Sequence, residues 1–431
     1  MKLRHASDAP LPRTPLDFAY PLVVRGPGAE GAVVLAEVAG ERALAVLRVL
    51  RRVLDWSRGG GRGAPGVRAH VLERWEADRL HEEGCRDPLA PALTALAGEV
   101  ERGEEADAES VARGCLDVCD WALGAGAEGT ALLFAEAAAL ASPANARFAW
   151  TAGRMLRDAG RHREAVLWLR RAARVAVWSA DWEAQDLALN SLGNLYAQQG
   201  GFGEALQLLV RAVRLARRHR MREREGAVTH DLFAVFVLTG EHARAEEAAL
   251  DAFDLYGPGH PNLPKLAHDV VQLWLRQGRF PVALPVLSAV LPHLHLPEER
   301  LRVLASIVRT AGALEDRSTY ESTWIEAWEL VHLPTAEVRA TLPGVLVDLG
   351  YGAASVKDWD HAAASFTRAL EIADQMGAND DAETARKGLE SVQRNQGVET
   401  PRRKTSGPAA HRLLHLTYAT VWLQPRNGSC E

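Results

Sequence analysis

The chain has 431 residues, enough for roughly three average domains, of which 47% are hydrophobic and 25% charged. That balance excludes intrinsic disorder, and a mean hydropathy of −0.14 excludes a multi-span membrane protein. A net charge of −6 and an isoelectric point near 6.2 exclude a globally basic nucleic-acid coat.

Residues 1–31 are rich in Pro and Gly and read as an irregular arm. They lack the apolar core and small-residue cleavage site of a secretory signal, so the expected compartment is the cytoplasm, with no membrane partner. From Gly31 to Arg58, the spacing of Val34, Leu35, Val38, Leu44, Leu47, Leu50 and Val53 predicts one long helix. Arg58–Pro65 is a Gly-rich loop without the Gly-Lys-Ser/Thr ending of a phosphate loop. Val67–Glu83 and Leu89–Glu101 predict two more helices, so 32–106 reads as a small N-terminal bundle. It carries no helix-turn-helix signature. Cys85, Cys115, Cys119 and Cys430 are too few for a disulfide scaffold and fit a reducing compartment. Cys115 and Cys119 lie one helical turn apart, but no second ligand pair completes a metal site, so both are expected in the core.

From there the chain repeats itself. Asp158-Ala-Gly-Arg-His-Arg-Glu-Ala165, Gln198-Gln-Gly-Gly-Phe-Gly-Glu-Ala205, Leu238-Thr-Gly-Glu-His-Ala-Arg-Ala245 and Arg276-Gln-Gly-Arg-Phe-Pro-Val-Ala283 share Gly in the third place and Ala in the eighth. The alanines that end them, Ala165, Ala205, Ala245 and Ala283, follow one another at intervals of forty, forty and thirty-eight. Apolar residues before each Gly recur three and four apart, as at Leu189, Leu192 and Tyr196, and again after it at Ala205, Leu209 and Ala212. Each copy is therefore a helix, a turn capped by Gly in the left-handed conformation, and an antiparallel second helix.

Leu189-x2-Leu192-Gly193-x2-Tyr196-x8-Ala205-x3-Leu209-x2-Ala212 resembles the tetratricopeptide repeat. Weaker copies surround it: Ala149 to Ala172, Leu232 to Ala252, Ala267 to Val290, a degenerate unit over 301–333, and Leu346 to Ala369. A first unit begins near Gly114, and Asp381–Gln396 reads as a polar capping helix, so the array spans 107–396. The resemblance implies an all-α fold, a right-handed α-solenoid of helical hairpins, preceded here by the small bundle. The family's period is about 34 residues; the longer spacing here resembles that of bacterial receptors for short signalling peptides. The additional residues fall after the second helix, at Ala180–Ala184 and Arg220–Glu225.

The remaining tail, 397–431, opens with linker composition and holds an apolar run, Leu413–Leu423, with no assigned place. No HExxH, GxSxG or GxGxxG motif is present, and neither His293-Leu-His295 nor His81-Glu-Glu-Gly-Cys85 has a further ligand close by. An enzyme is disfavoured and no cofactor or metal is called for. Arg211–Arg224 is strongly basic; it is either a solvated helix end or a nucleic-acid face. The acidic run Glu99–Glu109 offers it a counter-charge within one chain or in a homodimer.

In such arrays, residues of the first helix that follow the leading apolar and the small position face the concave groove. The resemblance places Trp150 and Arg154, Asn190 and Asn194, His230 and Ala234, and His268 and Gln272 there, with Arg147, Arg157, Gln198, Lys265 and Arg276 on the same side. An Asn amide can donate to a peptide carbonyl and accept from its N–H at once. The expected function is a non-enzymatic scaffold or receptor for a protein or peptide segment, concretely a peptide-signal sensor with the bundle as output. The alternative is a nucleic-acid-associated regulator using Arg211–Arg224.

Overall fold

The computed structural model describes residues 29–59, 89–333, 336–376 and 378–394. The expected helix at Val67–Glu83, nearly all of the arm 1–31 and the tail 397–431 lie outside the described residues. Among the described residues there are eighteen α-helices and no strand: the fold is all-α.

The helix expected over Gly31–Arg58 is two, α1 (Ala29–Glu37) and α2 (Gly40–Gly59), because Gly40 takes a φ of 62°, a left-handed value that ends a helix. After α3 (Leu89–Glu101) come seven antiparallel hairpins. They are α4 (Ala108–Gly124) with α5 (Glu128–Ala141), α6 (Ala146–Asp158) with α7 (His162–Trp178), and α8 (Trp182–Gln198) with α9 (Phe202–Arg218). Next are α10 (Arg222–Leu238) with α11 (His242–Tyr256), α12 (Leu263–Arg276) with α13 (Phe280–Val290), α14 (Pro297–Ala313) with α15 (Arg317–Val331), and α16 (Ala336–Ser355) with α17 (Trp359–Met376). A last helix, α18 (Asn379–Gln393), packs on α16 and α17.

The additional residues of the period form no inserted loop. His162, Trp182, Phe202, Arg222 and His242 each open a helix, so helix starts are evenly spaced at half the repeat period. The joints between them share one geometry. The N–H of Arg161, Asp181, Gly201, Met221 and Glu241 donates to the carbonyl five residues back, at 2.8–2.9 Å. The residue before each is left-handed: Gly160, Ala180, Gly200, Arg220 and Gly240, at φ 54–76°. This is the Schellman closure, used within hairpins and between them alike. At Ala180 and Arg220 it is held without glycine.

The chain divides into two compact units, Met1–Val228 and Thr229–Glu431. In the first, α1 and α2 pack on α5, and α3 bridges α2 and α4. One apolar cluster runs from Val34 through Phe134 and Trp168 to Leu195, so the N-terminal helices share a core with the first hairpins. Within hairpins, the small residue of the first helix receives a large one sixteen positions on: a Cβ added to Gly153 or Gly193 would meet Leu169 or Leu209 Cγ at 2.7 Å. Cys115 and Cys119 are buried thiols of this core. Burial, with the neighbouring charge of Asp120, pushes Cys119 up to about 12.

In the second unit the tightest joint is between α14 and α16. A Cβ on Gly352 would lie 2.6 Å from the Val308 carbonyl oxygen, and one on Gly312 would strike the Gly352 carbonyl. Leu304, Val308, Leu346 and Phe366 fill the core around this crossing, all fully buried.

Candidate functional site

In the first unit, α6 and α8 carry the expected stripe. Trp150 is half-buried and its indole N–H donates to Ser191 Oγ at 2.9 Å. Arg154 lies over that ring, 5.5 Å from its centre, and 3.7 Å from Asp158. Arg157 binds the same carboxylate at 2.7 Å. Arg147 pairs with Asp181 at 3.2 Å and Glu183 at 2.5 Å, and these bonds raise its affinity for its proton further. The cations of this stripe are thus largely neutralised by carboxylates, Asp158 on the same helix and Asp181 and Glu183 beyond it. Asn194 is half-buried, Gln198 is exposed, and Asn190 presents a buried Oδ1 without a hydrogen-bond donor among the described residues.

In the second unit the expected residues separate. His230 is only 7% exposed, with Nε2 bonded to Asp269 at 2.9 Å and Nδ1 facing the Tyr256 hydroxyl at 3.4 Å. It supports the face from behind. Asp269 also approaches His268, at 3.5 Å. Burial works to raise the Asp269 carboxyl, but the hydrogen bonds and charges of His230 and His268 hold it far below the usual carboxylate range. Gln272 Nε2 continues the chain, lying 3.1 Å from His268 Nε2 and donating to Ser306 Oγ at 2.7 Å. Lys265 is exposed on the first turns of α12 and Ala234 on α10.

His268, Gln272 and Arg276 do come together, in a groove of about 690 Å³ lined by α12, α14, α16 and α18. Its other wall was not foreseen from the spacing. Arg302, Ser306 and Arg309 line it from α14, and Val347, Asp348 and Tyr351 from α16. Asp381 and Thr384 line it from α18. Val347 and Tyr351 were within reach, since they follow Leu346 and Gly350 as Asn190 and Asn194 follow Leu189 and Gly193. Arg309 ties the wall together, 2.7 Å from Asp348 and 5.2 Å from the centre of the Tyr351 ring.

The basic stretch Arg211–Arg224 is partly committed to the fold. Arg224 bonds Asp186, which is fully buried, at 2.8 Å. Arg217 bonds Glu225 at 2.8 Å, and His219 stacks on Trp182 with centres 4.6 Å apart. Arg211, Arg214 and Arg218 are exposed. Among the described residues no three His, Cys, Asp or Glu side chains gather to hold a metal, and no helix is long and apolar enough to cross a membrane.

Residues 187–219, covering most of α8 and all of α9, match the tetratricopeptide repeat family. That segment is similar to a tetratricopeptide repeat. The hairpins around it have the same build, so the array is TPR-like. The apo form of RapI is similar over 82% of this chain and 99% of its own, at 9% identity and a TM-score of 0.47. The Rap conjugation gene regulator of the plasmid pLS20, in complex with the Phr* peptide, is similar over 82% and 98%, at 14% identity and 0.39. Pseudomonas aeruginosa pilF is similar over 54% and 97%, at 18% identity and 0.40. No curated protein matches the sequence.

Proposed function

We propose that this TPR-like chain is a non-enzymatic scaffold that captures a protein or peptide segment against the first helices of its hairpins. The observation that carries the reading is the groove on α12, α14, α16 and α18. Its lining mixes the amide of Gln272, the hydroxyls of Thr341 and Thr384, and the charges of Arg276 and Arg302. An extended segment needs both kinds of group, neutral ones for its backbone and charged ones for its side chains. Asn190 supports the same reading in the first unit, because a buried acceptor without a donor costs free energy until a ligand N–H arrives. A peptide-signal sensor with α1–α3 as output is the concrete form we favour.

The test is capture from a lysate of the native host, mass spectrometry of what is retained, and calorimetry with the retained peptide. Asn190→Ala and Asn194→Ala should each weaken binding about tenfold, the cost of one unmade buried hydrogen bond. Wild-type affinity in both, together with salt-sensitive duplex DNA binding lost in Arg214→Ala and Arg218→Ala, would transfer the function to the basic face.

A further inference from the structure

The groove of the second unit has a charge direction. On one side α12 and α14 present Arg276 and Arg302, both exposed and without an ion-pair partner among the described residues. On the other, α16 and α18 present Asp348 and Asp381. Asp348 is already committed to Arg309. Asp381 has neither an ion pair nor a hydrogen bond among the described residues, and burial, then the carboxylates of Asp380 and Asp348, push its carboxyl above the ordinary range. The first turn of α18 tolerates an acid through the helix dipole, but exposed Asp380 satisfies that preference equally well. The space before Asp381 is kept clear by Gly344, where an added Cβ would meet nothing nearer than Asp381 Oδ1, at 3.9 Å. A cation arriving there would offset both the burial and the like-charged neighbours.

The geometry points to a ligand segment of opposite charge at its two ends, its acid on Arg276 and Arg302 and its base on Asp381, so that the groove fixes the direction in which the segment lies. This rests on the peptide-binding reading above and adds polarity to it. Packed helix axes lie roughly 8–10 Å apart, so the two steps from α14 to α18 span roughly 16–20 Å, about half a dozen residues of extended chain. The acid is an Asp or Glu side chain or a terminal carboxylate, and the base a Lys or Arg side chain or a terminal amine.

Panning the full chain against fully randomised octapeptides tests this, with one library carrying free termini and a second acetylated and amidated. In the capped library the wild type should enrich peptides with Asp or Glu near one end and Lys or Arg near the other. Asp381→Asn should lower the basic preference about fivefold or more and leave the acidic one; Arg302→Gln should do the reverse. Circular dichroism checks that both variants remain folded. Polar enrichment confined to the free-terminus library would support the same polarity, with the termini as the charges. An Asp381→Asn variant that keeps the basic preference overturns the polarity while capture itself stands. Absence of any enrichment by the wild type overturns the groove reading and the polarity together.

Discussion

Gly352→Ala adds one methyl group at the crossing of α14 and α16, where it would sit 2.6 Å from the Val308 carbonyl oxygen. Carbon and carbonyl oxygen approach no closer than about 3.3 Å, and the obstacle is backbone, so the helices must part by roughly 0.7 Å. A gap of that size forfeits about a quarter to a half of the dispersion energy of each facing atom pair, and the side chains pushed apart include the fully buried Leu304, Val308 and Leu346. Overpacking costs about 1–3 kcal/mol where side chains can adjust and more where they cannot. Alanine returns about 1 kcal/mol of helix propensity. The net loss should be about 2–3 kcal/mol, which for a unit of this size lowers Tm by roughly 4–12 °C. Gly193→Ala makes the control: its methyl group would meet Leu209 Cγ at 2.7 Å, a side chain that can rotate, so its net cost should be about 0–2 kcal/mol. Thermal unfolding followed by circular dichroism measures both. A Gly352→Ala protein that melts with the wild type, or above Gly193→Ala, would refute the argument. Gly193→Leu, which cannot be relieved by one rotation, should cost about 1–3 kcal/mol or more.

Ala180→Gly and Arg220→Gly should each raise stability by about 0.5–1 kcal/mol in chemical denaturation, since relief of a left-handed residue outweighs the entropy that glycine adds to the unfolded chain. Arg224→Met should cost about 3–5 kcal/mol by leaving Asp186 buried without its guanidinium; adding Asp186→Leu should restore most of it in the same melts. Because the Cys119 thiol is pushed up to about 12, it stays protonated at pH 8. Its peptide should therefore resist iodoacetamide in the folded protein and label fully in denaturant, as read by mass spectrometry.

Helix identity and hairpin order were legible because apolar spacing of three and four, with Gly or Ala in fixed places, has one packed solution. The break at Gly40 was not, because Val34 and Val38 before it and Leu47, Leu50 and Leu54 after it each keep helical spacing, and the left-handed backbone angle marks the stop. The groove was half legible. His268, Gln272 and Arg276 follow from the register of the copy over Ala267 to Val290. Arg302 and Ser306 lie in the degenerate copy, whose second helix, counted from Gly312, has Arg317 and Glu321 where the spacing of Ala205 and Leu209 calls for apolar residues, so its register was not read. His230 has a groove position in sequence but is drawn inward by Asp269, a cross-helix bond that no single-helix pattern encodes. The partners of Arg147, Asp181 and Glu183, escaped for the same reason, whereas that of Arg154, Asp158, lies one turn on in its own helix.

The even recurrence of helix starts from His162 to His242 bears on how such a chain changes length. Every joint in that stretch is the same closure, so a duplication or loss of one full hairpin rejoins the polypeptide at a junction indistinguishable from the one removed, wherever the break falls. Gain or loss of a single helix with its joint would also close cleanly, yet it would exchange first for second helices of the hairpins in everything that follows. Recombination within the gene can therefore lengthen or shorten this stretch freely by whole hairpins, and the coding sequence carries, above the frame of three, a second frame one hairpin long.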